Sequence, residues 1–228
     1  MLNHAIRQKP EDAGFSGALP APGRLRNKRA LITGGETPLG RAIAAAFARE
    51  GADIALVCPA RADSETMRRA VLAEGRRYLA IHGDIRDLDF CDSVLDEVLA
   101  RFGGLDILVN NAAGGGSLHA LNFATLYLSR NALRAMDEGA SIINTASGGE
   151  AVPAFTHSLS QVAARHGIRV NAVATVAETA RLAANSDGEV MVRPGSPAPA
   201  DAIAPSYVFL ASSEARLMNG QVLKAYPA

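Results

Sequence analysis

Arg29-Ala-Leu-Ile-Thr-Gly-Gly-Glu-Thr-Pro-Leu-Gly40 is the stretch that decides the fold. Arg29 to Thr33 is a short apolar run stopped by Gly34 and Gly35, as a strand buried on both faces should be. Leu39, Ile43, Ala46 and Phe47 then recur at helical spacing, and Gly51 stands where a helix C-cap belongs. A glycine turn between a buried strand and a helix aims backbone N–H groups and the positive end of the helix dipole at one point. That point suits a pyrophosphate, and glycines are needed there because a Cβ would block the close approach.

The alternation continues outward from this unit. Strands are expected at Asp53–Val57, Tyr78–Ile81, Leu105–Val109, Ala140–Asn144, Arg169–Ala174 and Gln221–Lys224. Helices are expected at about Asp63–Glu74, Leu88–Phe102, Leu118–Met136, Phe155–Arg165 and Ala202–Ala211. Strand and helix in strict alternation predict an α/β fold: a Rossmann-type, doubly wound parallel sheet of about seven strands with helices on both faces. Residues 1–22 mix proline, glycine and charge without periodicity and read as a flexible arm; residues 23–228 read as one domain. The Pro-rich stretch Arg193–Pro199 is a loop, because the same pattern of elements resumes after it.

Bulk properties narrow the function classes. The chain of 228 residues is 48% apolar, enough for a substantial core, and its formal net charge is +0. That balance argues against nucleic acid or an anionic membrane as a partner held by charge. Two cysteines, Cys58 and Cys91, are too few for a disulfide framework or a zinc site and read as buried thiols of a reducing compartment. The N-terminus carries Arg7, Lys9, Glu11 and Asp12 without an apolar run, and no stretch approaches the roughly 20 apolar residues of a membrane span. A cytoplasmic location is the expectation.

The order of motifs resembles a known family. Leu31-Ile-Thr-Gly-Gly-Glu-Thr-Pro-Leu-Gly40-Arg-Ala-Ile-Ala, Gly83-Asp84, Leu105-Asp-Ile-Leu-Val-Asn110-Asn111-Ala112-Ala-Gly114, Ile142-Ile-Asn-Thr-Ala-Ser147 and Gly167-Ile-Arg-Val-Asn171-Ala-Val are similar, in sequence order, to the motifs of classical short-chain dehydrogenases/reductases. Tyr207-Val-Phe-Leu-Ala-Ser212 and Gly220-Gln-Val-Leu223 continue the resemblance. Gly23-Arg-Leu and the arm before it resemble the glucose or ribitol dehydrogenase-like branch. The resemblance implies a seven-stranded parallel sheet and hydride transfer between a nicotinamide, NAD(P), and a carbonyl or alcohol. It implies Thr33, Gly34, Gly35 and Gly40 at the cofactor diphosphate, Asp84 at the adenine, Asn110 and the adjoining Ala112 on the adenosine side, and Ser147 as the catalytic serine. No acidic residue ends the second strand, so Arg61 just beyond it is a candidate for a 2′-phosphate.

The sequence departs from the family where the chemistry lies. The family relies on Tyr-x-x-x-Lys, because a tyrosine at its reference pKa of about 10 is a poor base until a cation lowers it. Four residues beyond Tyr78, Tyr127 and Tyr207 lie His82, Asn131 and Ala211, and the only lysines are Lys9, Lys28 and Lys224. Phe155-Thr-His-Ser-Leu-Ser-Gln-Val-Ala-Ala-Arg resembles the second half of the catalytic helix; the first half looks excised. Pro38 replaces the middle glycine of the turn, where it suits the first turn of a helix but removes an N–H, and Thr175-Val176 replaces the usual Pro-Gly.

Two readings follow. One is a family member impaired in catalysis, with NAD(P) binding weak or lost and the fold kept for binding or assembly. The other is an atypical oxidoreductase that acts on a carbonyl or alcohol through Ser147. Relatives commonly pair through the helix after the fourth strand and the catalytic helix, both shortened here. The expected assembly is therefore a homodimer through the C-terminal helix and strand, Tyr207 to Lys224, or a hetero-oligomer with an active relative.

Overall fold

The structure, a computed structural model, describes residues 23–111, 118–146, 151–175 and 199–225. One sheet runs through it, in the order β3-β2-β1-β4-β5-β6-β7. Its strands are β1 (Arg29–Thr33), β2 (Asp53–Cys58), β3 (Tyr78–His82), β4 (Leu105–Asn110), β5 (Met136–Ala146), β6 (Arg169–Ala174) and β7 (Val222–Lys224). Every neighbouring pair is parallel. The helices among the described residues are α1 (Pro38–Arg49), α2 (Glu65–Ala73), α3 (Leu88–Phe102), α4 (Leu118–Ala132), α5 (Ala151–Ala163) and α6 (Ala200–Ala211). None is long and apolar enough to cross a membrane.

Strand parity builds the two faces. Ile32, Leu56, Val109 and Ile143 pack with Phe47 of α1, Val71 of α2 and Tyr207 of α6. Leu31, Val57, Leu108 and Ile142, one residue out of phase, pack with Val98 of α3, Leu128 of α4 and Leu159 of α5. Successive side chains of a strand leave on opposite faces, so a run apolar at every position must be covered on both.

The largest boundary differences from the sequence reading lie at the end of α4, the start of β5 and the start of α5. The helical pattern after Leu118 was expected to run to Met136, but α4 stops at Ala132 and Met136 opens β5 opposite Leu105. Met136 is buried either way, so its hydrophobicity carried no information about the period. α5 begins at Ala151 instead of Phe155 and tolerates Pro153 in its first turn, where a missing N–H leaves no bond unmade.

Ion pairs close the amino ends of β1 and β4, opposite the glycine turn. Asp106 accepts from the Arg29 backbone N–H at 2.9 Å and from Arg29 Nε at 2.6 Å, with Lys28 Nζ at 3.7 Å. Burial pushes the Asp106 carboxyl up, yet these hydrogen bonds and the charges of Arg29 and Lys28 outweigh it and hold it below the usual carboxylate range. A carboxyl lowered on folding stabilises fully above its unfolded value, about 3.9, and the contribution is lost as pH falls through the folded value. The stability advantage of the native chain over Asp106→Asn should therefore be large in urea unfolding at pH 7 and shrink as the pH is taken to 3 and below. An advantage of the same size at both pH values would contradict this.

Candidate functional site

β1 sits between β2 and β4, so the connection leaving β1 and the one leaving β4 diverge to opposite faces, and a crevice opens at the carboxyl ends of these strands. The glycine turn fills one wall. Gly34 has φ of 71°, a left-handed conformation that a side chain would strain. Gly35 and Gly40 are required for space. A Cβ on Gly35 would stand 2.3 Å from Leu56 Cγ, and one on Gly40 2.2 Å from the Gly34 carbonyl oxygen. Gly35 thus serves the packing of the turn on β2, while Gly34 and Gly40 shape the backbone at the start of α1.

Thr37 caps α1, and Pro38 occupies its first turn without disturbing it. The Thr37 hydroxyl donates to the Gly34 carbonyl at 2.9 Å and accepts from the Gly40 N–H at 2.9 Å. The Arg41 N–H binds the Thr37 carbonyl, the Thr37 N–H the Gly34 carbonyl, and the Gly35 N–H the Val57 carbonyl. Proline has no N–H. Among the first four residues of α1, the Leu39 N–H alone remains for an anion.

The two asparagines after β4 have separate roles. Asn110 is buried, and its Nδ2 donates to Ser129 Oγ and Asn144 Oδ1, both at 2.8 Å; Asn144 Nδ2 in turn donates to Thr156 Oγ1 at 3.0 Å. The side chain that the resemblance assigns to the adenosine side thus joins β4 to α4, β5 and α5. Asn111 meets the turn. Its N–H donates to Thr33 Oγ1 at 3.0 Å and its Nδ2 to Thr37 Oγ1 at 3.0 Å, while its Oδ1 accepts from Thr145 Oγ1 at 3.2 Å. Sequence reasoning missed Asn111, although parity held the signal: Asn110 continues the phase of Leu108, and Asn111 that of Val109.

Beside the turn lies a cavity of about 410 Å³ lined by Glu36, Arg41, Ala62, Asp63, Thr66 and Met67. Arg41 Nη1 donates to the Glu36 carbonyl at 2.7 Å, and Glu36 Oε2 is buried without a partner. A ribose hydroxyl fits that acceptor. Arg41 lines the cavity, whereas Arg61 lies exposed in the turn after β2, outside the lining. Asp84, after β3, is gripped by Arg86, whose Nε lies 2.9 Å from both carboxylate oxygens and whose Nη2 lies 2.5 Å from Oδ2. The side-chain and backbone hydrogen bonds of Arg86 hold its carboxyl below the usual range, so an adenine amine would compete with Arg86 for it. Among the described residues no group of three or more histidine, cysteine or acidic side chains could hold a metal ion.

The described tyrosines make poor proton carriers. Burial raises the Tyr78 hydroxyl to about 12. The hydrogen bond to Asp92 raises Tyr127. Burial drives Tyr207 well up, and Tyr207 is wholly inaccessible. Both thiols are buried and raised to about 11, so neither Cys58 nor Cys91 is a nucleophile at neutral pH. Ser147 and Ala112 lie outside the described residues.

With this geometry in hand, comparisons place the chain. The pattern of the short chain dehydrogenase family matches residues 28–189. The uncharacterized oxidoreductase YhxC of Bacillus subtilis (strain 168) is 36% identical, over 88% of this chain and 84% of that protein. The glucose and ribitol dehydrogenase of Daucus carota is 33% identical, again over 88% and 84%. A short chain dehydrogenase from Burkholderia cenocepacia J2315, solved in complex with NADP, superposes with a TM-score of 0.73 at 30% identity, covering 89% of this chain and 97% of that one.

The turn supplies a direct test of its own packing. Gly40→Ala puts a methyl group against the Gly34 carbonyl, and backbone must move to admit it. A loss of about 1–3 kcal/mol in urea unfolding is expected; a change within about 0.5 kcal/mol would show that the approach is looser than described.

Proposed function

The chain belongs to the short-chain dehydrogenase family, and from that premise we propose that it is a member impaired in hydride transfer, its fold kept for binding or assembly. The observation that carries this is the missing activated tyrosine. Each described tyrosine has its hydroxyl raised, by burial or by a carboxylate. Lys28 is held by Asp106 at the amino ends of β1 and β4, and Lys224 ends the edge strand β7 with no described tyrosine bonded to it. A proton donor or acceptor must be poised near the working pH and held within about 3 Å of the reacting oxygen, and a 1 Å displacement already costs about a hundredfold. NAD(P) affinity, by the same reading, is weak, because the first turn of α1 offers one free N–H to the diphosphate. Purified chain mixed with NADH or NADPH and a panel of aldehydes and ketones should leave the absorbance at 340 nm unchanged. Turnover at about 1 s⁻¹ or more, an ordinary enzymatic rate, would overturn the proposal, and its loss in Ser147→Ala would assign the chemistry to that serine.

The assembly proposed is a homodimer through the α6–β7 surface, or a hetero-oligomer with an active relative. Leu217, 89% exposed beside that surface, favours a partner there. Among the described residues, the large apolar side chains open to solvent on α4 and α5 are Phe123, Leu126 and Val162. These helices have 15 and 13 residues, and a stable interface generally buries roughly 1,200 Å² or more. Light scattering at low micromolar concentration should give twice the chain mass. A homotetramer, with Val162→Glu dissociating it, would contradict this.

A further inference from the structure

We propose that Tyr207, on α6, is a positioning residue for the glycine turn and acts on it through Thr145 and Asn111. This rests on the reading of that turn as the dinucleotide end of the site.

The donors can be traced one by one. The Tyr207 hydroxyl lies 2.7 Å from Thr145 Oγ1. Thr145 has a single hydroxyl proton and gives it to Asn111 Oδ1 at 3.2 Å. Tyr207 must therefore be the donor to Thr145. The reverse arrangement would leave the tyrosine proton without an acceptor in a wholly buried place, which is unfavourable. The Asn111 amide is fixed in the same way. Its Nδ2 faces Thr37 Oγ1 at 3.0 Å and the Gly34 carbonyl at 3.5 Å, and a flipped amide would set oxygen against oxygen at that carbonyl. Thr37 then passes its own proton to the Gly34 carbonyl and receives the Gly40 N–H.

The result is one directed chain of hydrogen bonds from α6, across the end of β5 and the residue after β4, to the residues that shape the anion turn. Such chains strengthen cooperatively in a low-dielectric interior. Without the Tyr207 hydroxyl, Thr145 is free to rotate its proton away from Asn111. The Asn111 amide then loses the contact that fixes its orientation, and the Thr37 cap loses one donor. α6 also belongs to the surface proposed for assembly, so a partner docked there would reach the turn through these bonds.

The test reads the turn itself. In the isotope-labelled full chain, amide exchange at Gly40 and the side-chain amide resonances of Asn111 are followed in the native protein, Tyr207→Phe, Thr145→Val and Thr145→Ser. Tyr78→Phe, whose hydroxyl bonds the Ser64 carbonyl outside this chain, is the control. Tyr207→Phe and Thr145→Val should speed Gly40 exchange about tenfold or more and move the Asn111 amide signals. Exchange at Val94 and Val98 in α3 should not change, and Thr145→Ser, which keeps the hydroxyl, should behave as native. Tyr207→Phe keeps the ring and its packing, so it serves even where Thr145→Val fails to fold. An unchanged Gly40, or an acceleration shared equally by α3, would overturn the proposal. Titration with inorganic pyrophosphate separates the two readings. If the Leu39 amide of the native chain stays unmoved even at pyrophosphate concentrations well above about 1 mM, the dinucleotide reading of the turn fails, whereas the coupling itself stands or falls on the exchange data.

Discussion

The hydroxyl of Thr37 holds the site together. It closes the glycine turn on the Gly34 carbonyl, caps α1 through the Gly40 N–H and receives the Asn111 side chain. A helix begun this way starts in register with β1, and the first βαβ unit then presents its apolar faces to both layers. The same bonds limit what the turn can offer a ligand. Thr37 and its carbonyl take two of the N–H groups at the start of α1, and Pro38 brings none.

Buried polar groups divide the crevice wall into two networks, one on each side of the sheet. Asn110, Asn144, Ser129 and Thr156 tie α4 and α5 to the central strands, while Asn111, Thr145 and Tyr207 tie α6 to the turn. Each group would be costly to bury alone, and these side chains bond one another, with Asn110 Oδ1 left buried and unpartnered. The chain keeps the architecture of a dehydrogenase, while its described tyrosines have hydroxyls raised by burial or by a carboxylate. Packing and polar satisfaction are indifferent to the loss of a Tyr–Lys pair, whereas proton transfer is not.

Much of this was legible in the sequence. Seven strands, their parallel arrangement and the proline in the first turn of α1 followed from periodicity and turn chemistry, and α3 and β6 fall on the expected residues. The end of α4 did not follow, because Met136 satisfies a helical and a strand pattern equally. The site was legible as backbone and much less so as side chains. Gly34 stands in the turn at positive φ, and Gly40 packs against the Gly34 carbonyl. The polar partners of the turn come from residues 74 and more positions away, and only the phase of β4 and β5 would have named them. Asp84 and Arg61 stand at the expected strand ends. What their side chains do depends on Arg86 and on the cavity wall, which no local pattern encodes.

The central claim is that the start of α1 has too few free N–H groups to hold a dinucleotide diphosphate firmly, and that Pro38 is the reason. Calorimetric titration of the native chain and of Pro38→Gly with NADH and NADPH tests it most directly. A hydrogen bond to a charged group is worth about 1.5–3 kcal/mol, so restoring one N–H should tighten binding about tenfold or more. The account predicts a native dissociation constant weaker than about 1 mM and a clear gain in Pro38→Gly. A native constant in the micromolar range, near −8 kcal/mol, unchanged by Pro38→Gly, would contradict it.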